Sequence, residues 1–373
     1  MLNENQQLFY VHIPKCGGTS FKNILYTFFD ESEVCPLWAE WLLFDEEGSL
    51  EKYRFYHGHF DFDLREHFSK TPITVTFLRD PNERVLSQYY YSRNLPDADV
   101  IASTGEARYV IEKMKELDLL PLLELQDPLV DRYLFNLQTR QIAKGAKHGI
   151  DYDSHAQDEL LQLALMNLVD IDFIGITEQF EKSIKLFDFI FKTKNKTETI
   201  ALNKTKRSSV ADIEQGRIDK AMQRYTNLDT HLYRMGGDIL NSELKKAEEN
   251  QKYTLQDIEI VMGNGFYPME TTQLETWNWS MPYSKLFINN CTGAEKRATV
   301  SFLVKVPKGG ANKFNVRFAD KTYEFEVFGN RAIDIDIDLE QGSNPLYFSS
   351  EKTIKLQDDS RIISIGLFHV NLK

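Results

Sequence analysis

The stretch Leu8 to Phe21, LFYVHIPKCGGTSF, constrains the fold more than any other part of this chain. A mostly apolar run of strand length, Leu8 to Ile13, passes through a proline and two adjacent glycines into Gly18 to Phe29, which reads as a helix. A strand feeding directly into a helix belongs to a βαβ unit, and βαβ units build parallel sheets. The first two thirds of the chain keep this alternation. Tyr53 to Tyr56 and Ile73 to Leu78 (ITVTFL) read as strands, and Pro81 opens a helix that NERVLSQYYYSRN continues. Residues 105 to 170 are mostly helical in pattern, with breaks at Pro121, Pro128 and Gly145. Asp172 to Thr177 reads as a strand before a helix from Glu178 to Lys192.

A polar segment, KTKNKTETIALNKTKRSS, leads to a last helical region ending near Asn250. From Tyr253 the period changes to two. TVSFLVKV, KFNVRF, TYEFEVF and AIDIDIDL, separated by Gly, Asn and Pro, mark antiparallel strands. The expectation is an α/β domain over residues 1–250, with a P-loop-like parallel sheet flanked by helices, and a β-sandwich accessory domain over residues 251–373.

With 373 residues, 42% of them hydrophobic, the chain can bury a substantial core. Its net charge of −12 argues against a general nucleic-acid binder. From Gln251 onward 14 Lys and Arg nearly balance 15 Asp and Glu, so the acidity sits earlier. An anionic ligand there needs local amides and a few placed cations. No apolar run approaches membrane-spanning length, and the amino terminus lacks the pattern of a signal peptide. Three scattered cysteines, Cys16, Cys35 and Cys291, suggest neither a disulfide framework nor a zinc site. A soluble, cytoplasmic protein is expected.

Two segments carry the marks of phosphate binding. In PKCGGTSF, Gly17 and Gly18 permit close backbone approach, so the amides from Gly17 to Ser20 can point at an anion at the helix start. Thr19 and Ser20 add hydroxyls, and Lys15 can place its ammonium on the anion. Lys15 precedes the glycines, whereas the Walker A lysine follows them, which disfavours an ATPase. Cys16 fills space in the turn. In RDPNERVLS, Arg79 stands at a strand end and Ser87 within the next helix, an arrangement suited to a terminal phosphate. The competing reading pairs Arg79 with Asp80 or Glu83, and Arg84 and Arg93 read as surface or salt-bridge residues. Upstream, FYHGHFDF places His57 and His59 two residues apart, so an extended backbone turns both imidazoles to one face. Either can act as a general base near neutral pH; a metal pair and an inert polar pair are the alternatives.

Taken in order, PKCGGTS, YHGH and RDPNERVLS resemble the carbohydrate sulfotransferases that use 3′-phosphoadenosine 5′-phosphosulfate, most closely the heparan sulfate and uronyl 2-O-sulfotransferase branch. The resemblance covers about residues 7 to 245. It implies that Lys15 assists sulfuryl transfer, that Lys15, Cys16, Gly17, Gly18, Thr19 and Ser20 hold the 5′-phosphosulfate, and that Arg79 and Ser87 hold the 3′-phosphate. His59 is the first candidate base and His57 the second. LNKTKRS looks like the family's late cofactor loop, which adds Asn203, Lys204, Thr205 and Arg207 as contacts to the adenosine bisphosphate. NLQTRQIAK also looks family-like and suggests the acceptor cleft. No metal is implied. The acidic catalytic region and the missing membrane anchor point to a bacterial cytosolic enzyme acting on a sugar or glycoconjugate. Phosphoryl transfer by a P-loop-type enzyme and non-catalytic glycan binding are the alternatives. In the carboxy-terminal region Trp277, Trp279, Tyr267 and Tyr283 read as core residues or as sugar-stacking ones. Asp334, Asp336 and Asp338 share one strand face, as a solvated edge or a calcium site.

Overall fold

The computed structural model describes residues 6–37, 49–103, 105–143, 150–192, 212–249, 253–255, 258–272, 275–307, 310–356 and 361–372. The chain divides into two compact units, Met1–Asn167 with Ile171–Gly236, and Leu168–Asp170 with Gly237–Lys373.

The first unit is built on a four-stranded parallel sheet of β1 (Leu8–Val11), β2 (Phe55–Gly58), β3 (Ile73–Leu78) and β4 (Phe173–Ile176), in the order β2-β1-β3-β4. Its helices include α1 (Gly18–Tyr26), α2 (Pro81–Arg93), α3 (Leu137–Ala143), α4 (Phe180–Phe191) and the first part of α5 (Asp212–Glu249), with Gly105–Glu116 and three short helices between α2 and α3 and Ser154–Asp170 before β4. All four residues of β1 and of β4 are buried, as expected of parallel strands covered on both faces. The β2 strand begins two residues later than its sequence pattern suggests, because Arg54 donates its backbone N–H to Glu33 and its side chain to the Glu33 carboxylate. Pro121 does not break a helix: it sits in the first turn of Leu119–Glu124, where its missing N–H has no intrahelical partner to lose.

Phe21 seats α1 on this sheet. Its ring lies 4.6 Å from Phe77, 5.3 Å from Tyr10, 5.6 Å from Phe173 and 5.3 Å from Phe187. One buried ring from the helix therefore touches β1, β3, β4 and α4, and the turn that precedes the helix inherits that position.

The second unit contains two large antiparallel sheets and a two-stranded one, Ile354–Lys355 with Ile362–Ile363. One has five strands, in the order Asn330–Leu339, Lys296–Lys305, Gly366–Leu372, Thr276–Trp279 and Glu270–Thr271. The other has six: Lys321–Phe328, Ala311–Phe318, Gly342–Ser350, Tyr283–Asn290, Ile258–Met262 and Tyr253–Leu255. Asp334, Asp336 and Asp338 are exposed on an edge strand and alternate with buried Ile335 and Ile337, the charged-edge arrangement that discourages strand addition. Trp277 stacks on Phe368 with ring centroids 5.2 Å apart, and Tyr267 is buried.

Candidate functional site

Parallel register brings the carboxyl ends of the strands level. Val11, the last residue of β1, pairs with Gly58 of β2 and Thr76 of β3, and Leu78 pairs with Ile176. The residues that follow each strand, His12, His59, Arg79 and Thr177, therefore gather along one end of the sheet. Open α/β sheets take ligands at that end.

Gly17 adopts φ 75° and stands as the N-cap of α1. No side chain caps the helix and no acid occupies its first turn. The amides of Gly18, Thr19 and Ser20 are thus offered to a ligand together with the positive end of the helix dipole. A Cβ on Gly17 would meet Thr177 Oγ1 at 3.3 Å, and one on Gly18 would meet His12 Nε2 at 1.8 Å. Lys15 also lies in the left-handed region, at φ 69°, an uncommon conformation for a residue with a side chain. Its ammonium sits 3.6 Å from the centre of the Tyr91 ring. Burial, and then the neighbouring Arg79 cation, push its pKa down to about 8. Cys16 is wholly buried; its Sγ donates to Gln138 Oε1 at 3.4 Å, and burial pushes the thiol up to about 12. A thiol buried and raised in this way is not poised as a nucleophile. Thr19 is exposed and Ser20 buried.

Arg79 joins the two motifs. Its guanidinium donates to the Lys15 carbonyl at 3.0 Å. The carboxylates of Glu83 and Glu178 lie 3.6 Å and 3.9 Å from it, so the ion pair weighed from the sequence is present in part, with a second acid that sequence spacing did not suggest. Asp80 instead caps α2 by accepting from the Glu83 N–H. The Arg79 Nε is buried and has no hydrogen-bond partner among the described residues. Ser87 is buried within α2. Arg84 corrects the expectation of a surface residue. It is fully buried and donates to the carbonyls of Tyr133 and Leu134 at 3.1 Å and 2.8 Å, closing the end of the helix Pro128–Leu134.

The described part of the NLQTRQIAK segment, Asn136 to Ala143, is buried and braces the strand ends. Every residue of α3 is buried. Gln138 clamps Arg79 from both sides, accepting from its N–H at 2.9 Å and donating to its C=O at 2.9 Å. Gln141 donates to the carbonyls of His12 and Phe60 at 3.2 Å and 2.7 Å. Asp229 accepts from the Thr139 N–H and hydroxyl at 2.8 Å each. These buried amides fix the backbone on which the cations and imidazoles stand. Lys144 of this segment, and Asn203, Lys204, Thr205 and Arg207, lie outside the described residues.

Three imidazoles, not two, line the site. His57 is half-buried in β2, with Nε2 2.7 Å from the Tyr26 hydroxyl. Burial, helped by Lys22, pushes its pKa down to about 4. His59 is exposed and meets the ring of His12 at 5.4 Å and 63°. His12, not singled out from the sequence, stacks on Tyr10 at 5.2 Å and 13°. Burial, then the charges of His59, His57, Lys22 and Lys15, push its pKa down to about 3. His57 and His12 are therefore neutral at pH 7. The one sequence signal for His12 was its place directly before the glycine loop. Among the described residues no group of three or more His, Cys, Asp or Glu is placed to hold a metal ion, and no helix is long and apolar enough to cross a membrane.

A sequence profile described as "Sulfotransferase family" matches residues 1–247. A protein-tyrosine sulfotransferase of Arabidopsis thaliana is 37% identical over 87 residues, which are 23% of this chain and 17% of that protein. The chain thus spans about a sixth of the length of that curated relative. Similar solved structures include a family 35 carbohydrate binding module from Clostridium thermocellum, at 10% identity over 32% of this chain and 96% of that one, with a TM-score of 0.20. They also include a family 29 carbohydrate binding module complexed with mannohexaose, at 13% identity over 33% of this chain and 84% of that one, with a TM-score of 0.21.

Proposed function

This chain belongs to the sulfotransferase family, and from that premise we propose that it moves a sulfuryl group from 3′-phosphoadenosine 5′-phosphosulfate to a hydroxyl of a carbohydrate or glycoconjugate. The observation that carries the reading is the Arg79 hydrogen bond to the Lys15 carbonyl. It joins two separate anion-binding motifs at the strand ends, beside the histidines, and the donor carries two separate anionic groups. The residues fit that donor. The uncapped start of α1 takes the 5′-phosphosulfate, with Lys15 and the amides of Gly17 to Ser20. The buried Arg79 Nε lacks a hydrogen-bond partner among the described residues and suits the 3′-phosphate, and Ser87 is proposed to share that role. Asn203, Lys204, Thr205 and Arg207 are proposed to close over the adenosine bisphosphate.

In the proposed in-line transfer, the acceptor oxygen forms a bond to sulfur as the bond from sulfur to the phosphate oxygen breaks. The electron pair leaves with the phosphate, where the Lys15 cation offsets it. The acceptor's proton passes to an imidazole, and His59 is the proposed base. The two-sheet region is proposed to be an accessory β-sandwich, because one apolar cluster takes in Val300 and Ile335 of one sheet and Ile288 and Val316 of the other. The proposed domain limits are 1–250 and 251–373, and the proposed setting is the bacterial cytoplasm.

The 37% match to a protein-tyrosine sulfotransferase favours a second acceptor, a tyrosine hydroxyl in a protein. The test is transfer of radiolabelled sulfate from the donor by the full chain. Its acceptors are neutral oligosaccharides, uronic-acid oligosaccharides and a tyrosine peptide flanked by acids. Label is expected in an oligosaccharide, with turnover lowered by about 100-fold or more in His59→Ala at unchanged affinity for adenosine 3′,5′-bisphosphate. Label in the peptide alone would replace the acceptor class. Stabilisation by magnesium ATP but not by the bisphosphate would overturn the donor.

A further inference from the structure

The helix that offers its amino terminus to an anion also reaches one of the histidines with its last residue. Tyr26, which ends α1, places its hydroxyl 2.7 Å from His57 Nε2. The two rings stand edge to face, with centroids 5.2 Å apart at 82°. The phenol ring also packs at 82° against Phe55, 5.9 Å away on the same strand as His57. One turn earlier on α1, Lys22 lies 5.4 Å from the centre of the Tyr26 ring.

Two atoms at that separation share one proton between them, and chemistry decides its side. A phenol O–H is a stronger hydrogen-bond donor than a neutral imidazole N–H. An imidazole lone pair is a stronger acceptor than a phenol oxygen. We infer that Tyr26 donates its hydroxyl to Nε2 and holds His57 in the Nδ1–H tautomer, which makes Tyr26 a positioning residue and His57 a hydrogen-bond donor within the site. A neutral imidazole has one lone pair on its ring nitrogens. With that pair engaged by Tyr26, His57 presents an N–H and cannot take an acceptor's proton. This division of roles rests on the sulfuryl-transfer reading above and assigns proton acceptance to His59. The low basicity of His57, from burial and Lys22, agrees with a group that stays neutral in this role. The N–H that remains suits a sulfuryl or acceptor oxygen, which bears negative charge during transfer.

The test uses the full chain labelled with isotopic nitrogen in histidine. Long-range proton–nitrogen correlation near neutral pH reports which ring nitrogen carries the proton, and His57 is assigned by its loss in His57→Asn. Native His57 is expected to be protonated at Nδ1. Tyr26→Phe keeps the ring packing and should move that proton to Nε2, wholly or in part, while leaving bisphosphate affinity unchanged. A native His57 protonated at Nε2, or a tautomer unaltered by Tyr26→Phe, overturns the inference. Transfer of radiolabelled sulfate from 3′-phosphoadenosine 5′-phosphosulfate to the neutral and uronic-acid oligosaccharides gives an independent readout. His57→Asn retains an N–H donor and should stay within about tenfold of native turnover, whereas His59→Asn should lose about 100-fold or more. Equal losses in the two variants overturn the division of roles. Absence of sulfate transfer by the native chain would count against sulfuryl transfer alone, since the tautomer measurement still decides what Tyr26 does to His57.

Discussion

Gly18→Ala separates the steric demand of the glycine loop from its conformational one. Gly18 is the first residue of α1, so its backbone is helical and alanine would ordinarily favour that conformation, by up to about 1 kcal/mol. The obstacle is the space that the new methyl group would enter. A Cβ there would lie 1.8 Å from His12 Nε2, 2.2 Å from Cδ2 and 2.7 Å from Cε1. Carbon contacts are ordinarily about 3.5–4.0 Å, so the ring has to leave its place or the helix start has to shift. The ring is not free to swing, because it stacks on the fully buried Tyr10 and abuts His59. Overpacking of this kind costs about 1–3 kcal/mol. Against the helix gain, a net loss of about 1–2 kcal/mol is expected, which lowers the Tm by about 2–8 °C. Urea unfolding of the full chain measures it. A double-mutant cycle with His12→Ala, which removes the clash, should return a coupling energy of about 1–3 kcal/mol. Additive effects, or a Gly18→Ala chain as stable as the native one, would refute the argument that His12 and the loop were built around each other.

The site's charges set further outcomes. Arg79→Ala should weaken adenosine 3′,5′-bisphosphate by about 2–4 kcal/mol, or roughly 30- to 1,000-fold, in titration calorimetry, and Ser87→Ala by less; unchanged affinity in Arg79→Ala would remove the 3′-phosphate from this place. Lys15 has its pKa lowered to about 8, below the ordinary 10.5, so the unfolded chain holds the extra proton between those values. Stability of the ligand-free protein should therefore rise as pH climbs from 8 to 10.5. An anionic donor favours the ammonium, so bisphosphate binding at pH 8 should take up about half a proton, read as a dependence of binding heat on buffer ionisation, and Lys15→Met should abolish that uptake.

Local pattern alone determined the βα alternation, the place of the glycine loop and of Arg79 at the strand ends, and the change to antiparallel strands after residue 251. Each of these is a property of neighbouring residues: apolar period, a glycine pair at a helix start, a proline in a first turn. ITVTFL became β3 from its first residue to its last for that reason, since every residue but the first is buried within the sheet. Buried polar residues were legible only as a curiosity. Gln138 and Gln141 read as parts of a helix, and nothing in their neighbourhood said that one would clamp Arg79 and the other the carbonyl of His12. Arg84 looked like a surface residue because the carbonyls it satisfies lie some fifty positions away.

What the tertiary structure decided was adjacency. His12 and His59 are neighbours because Val11 and Gly58 are register partners in parallel strands, and strand order is set by how whole elements pack, not by the pattern within any one of them. The same holds for Glu178 beside Arg79, brought together by the pairing of β3 with β4, and for Tyr26 beside His57, brought together when Phe21 seats α1 among four aromatic rings. The sequence supplied the chemically able side chains. Burial of α1 and the level ends of the parallel strands determined which of them meet, because hydrophobic packing acts on surfaces that form only after the elements do.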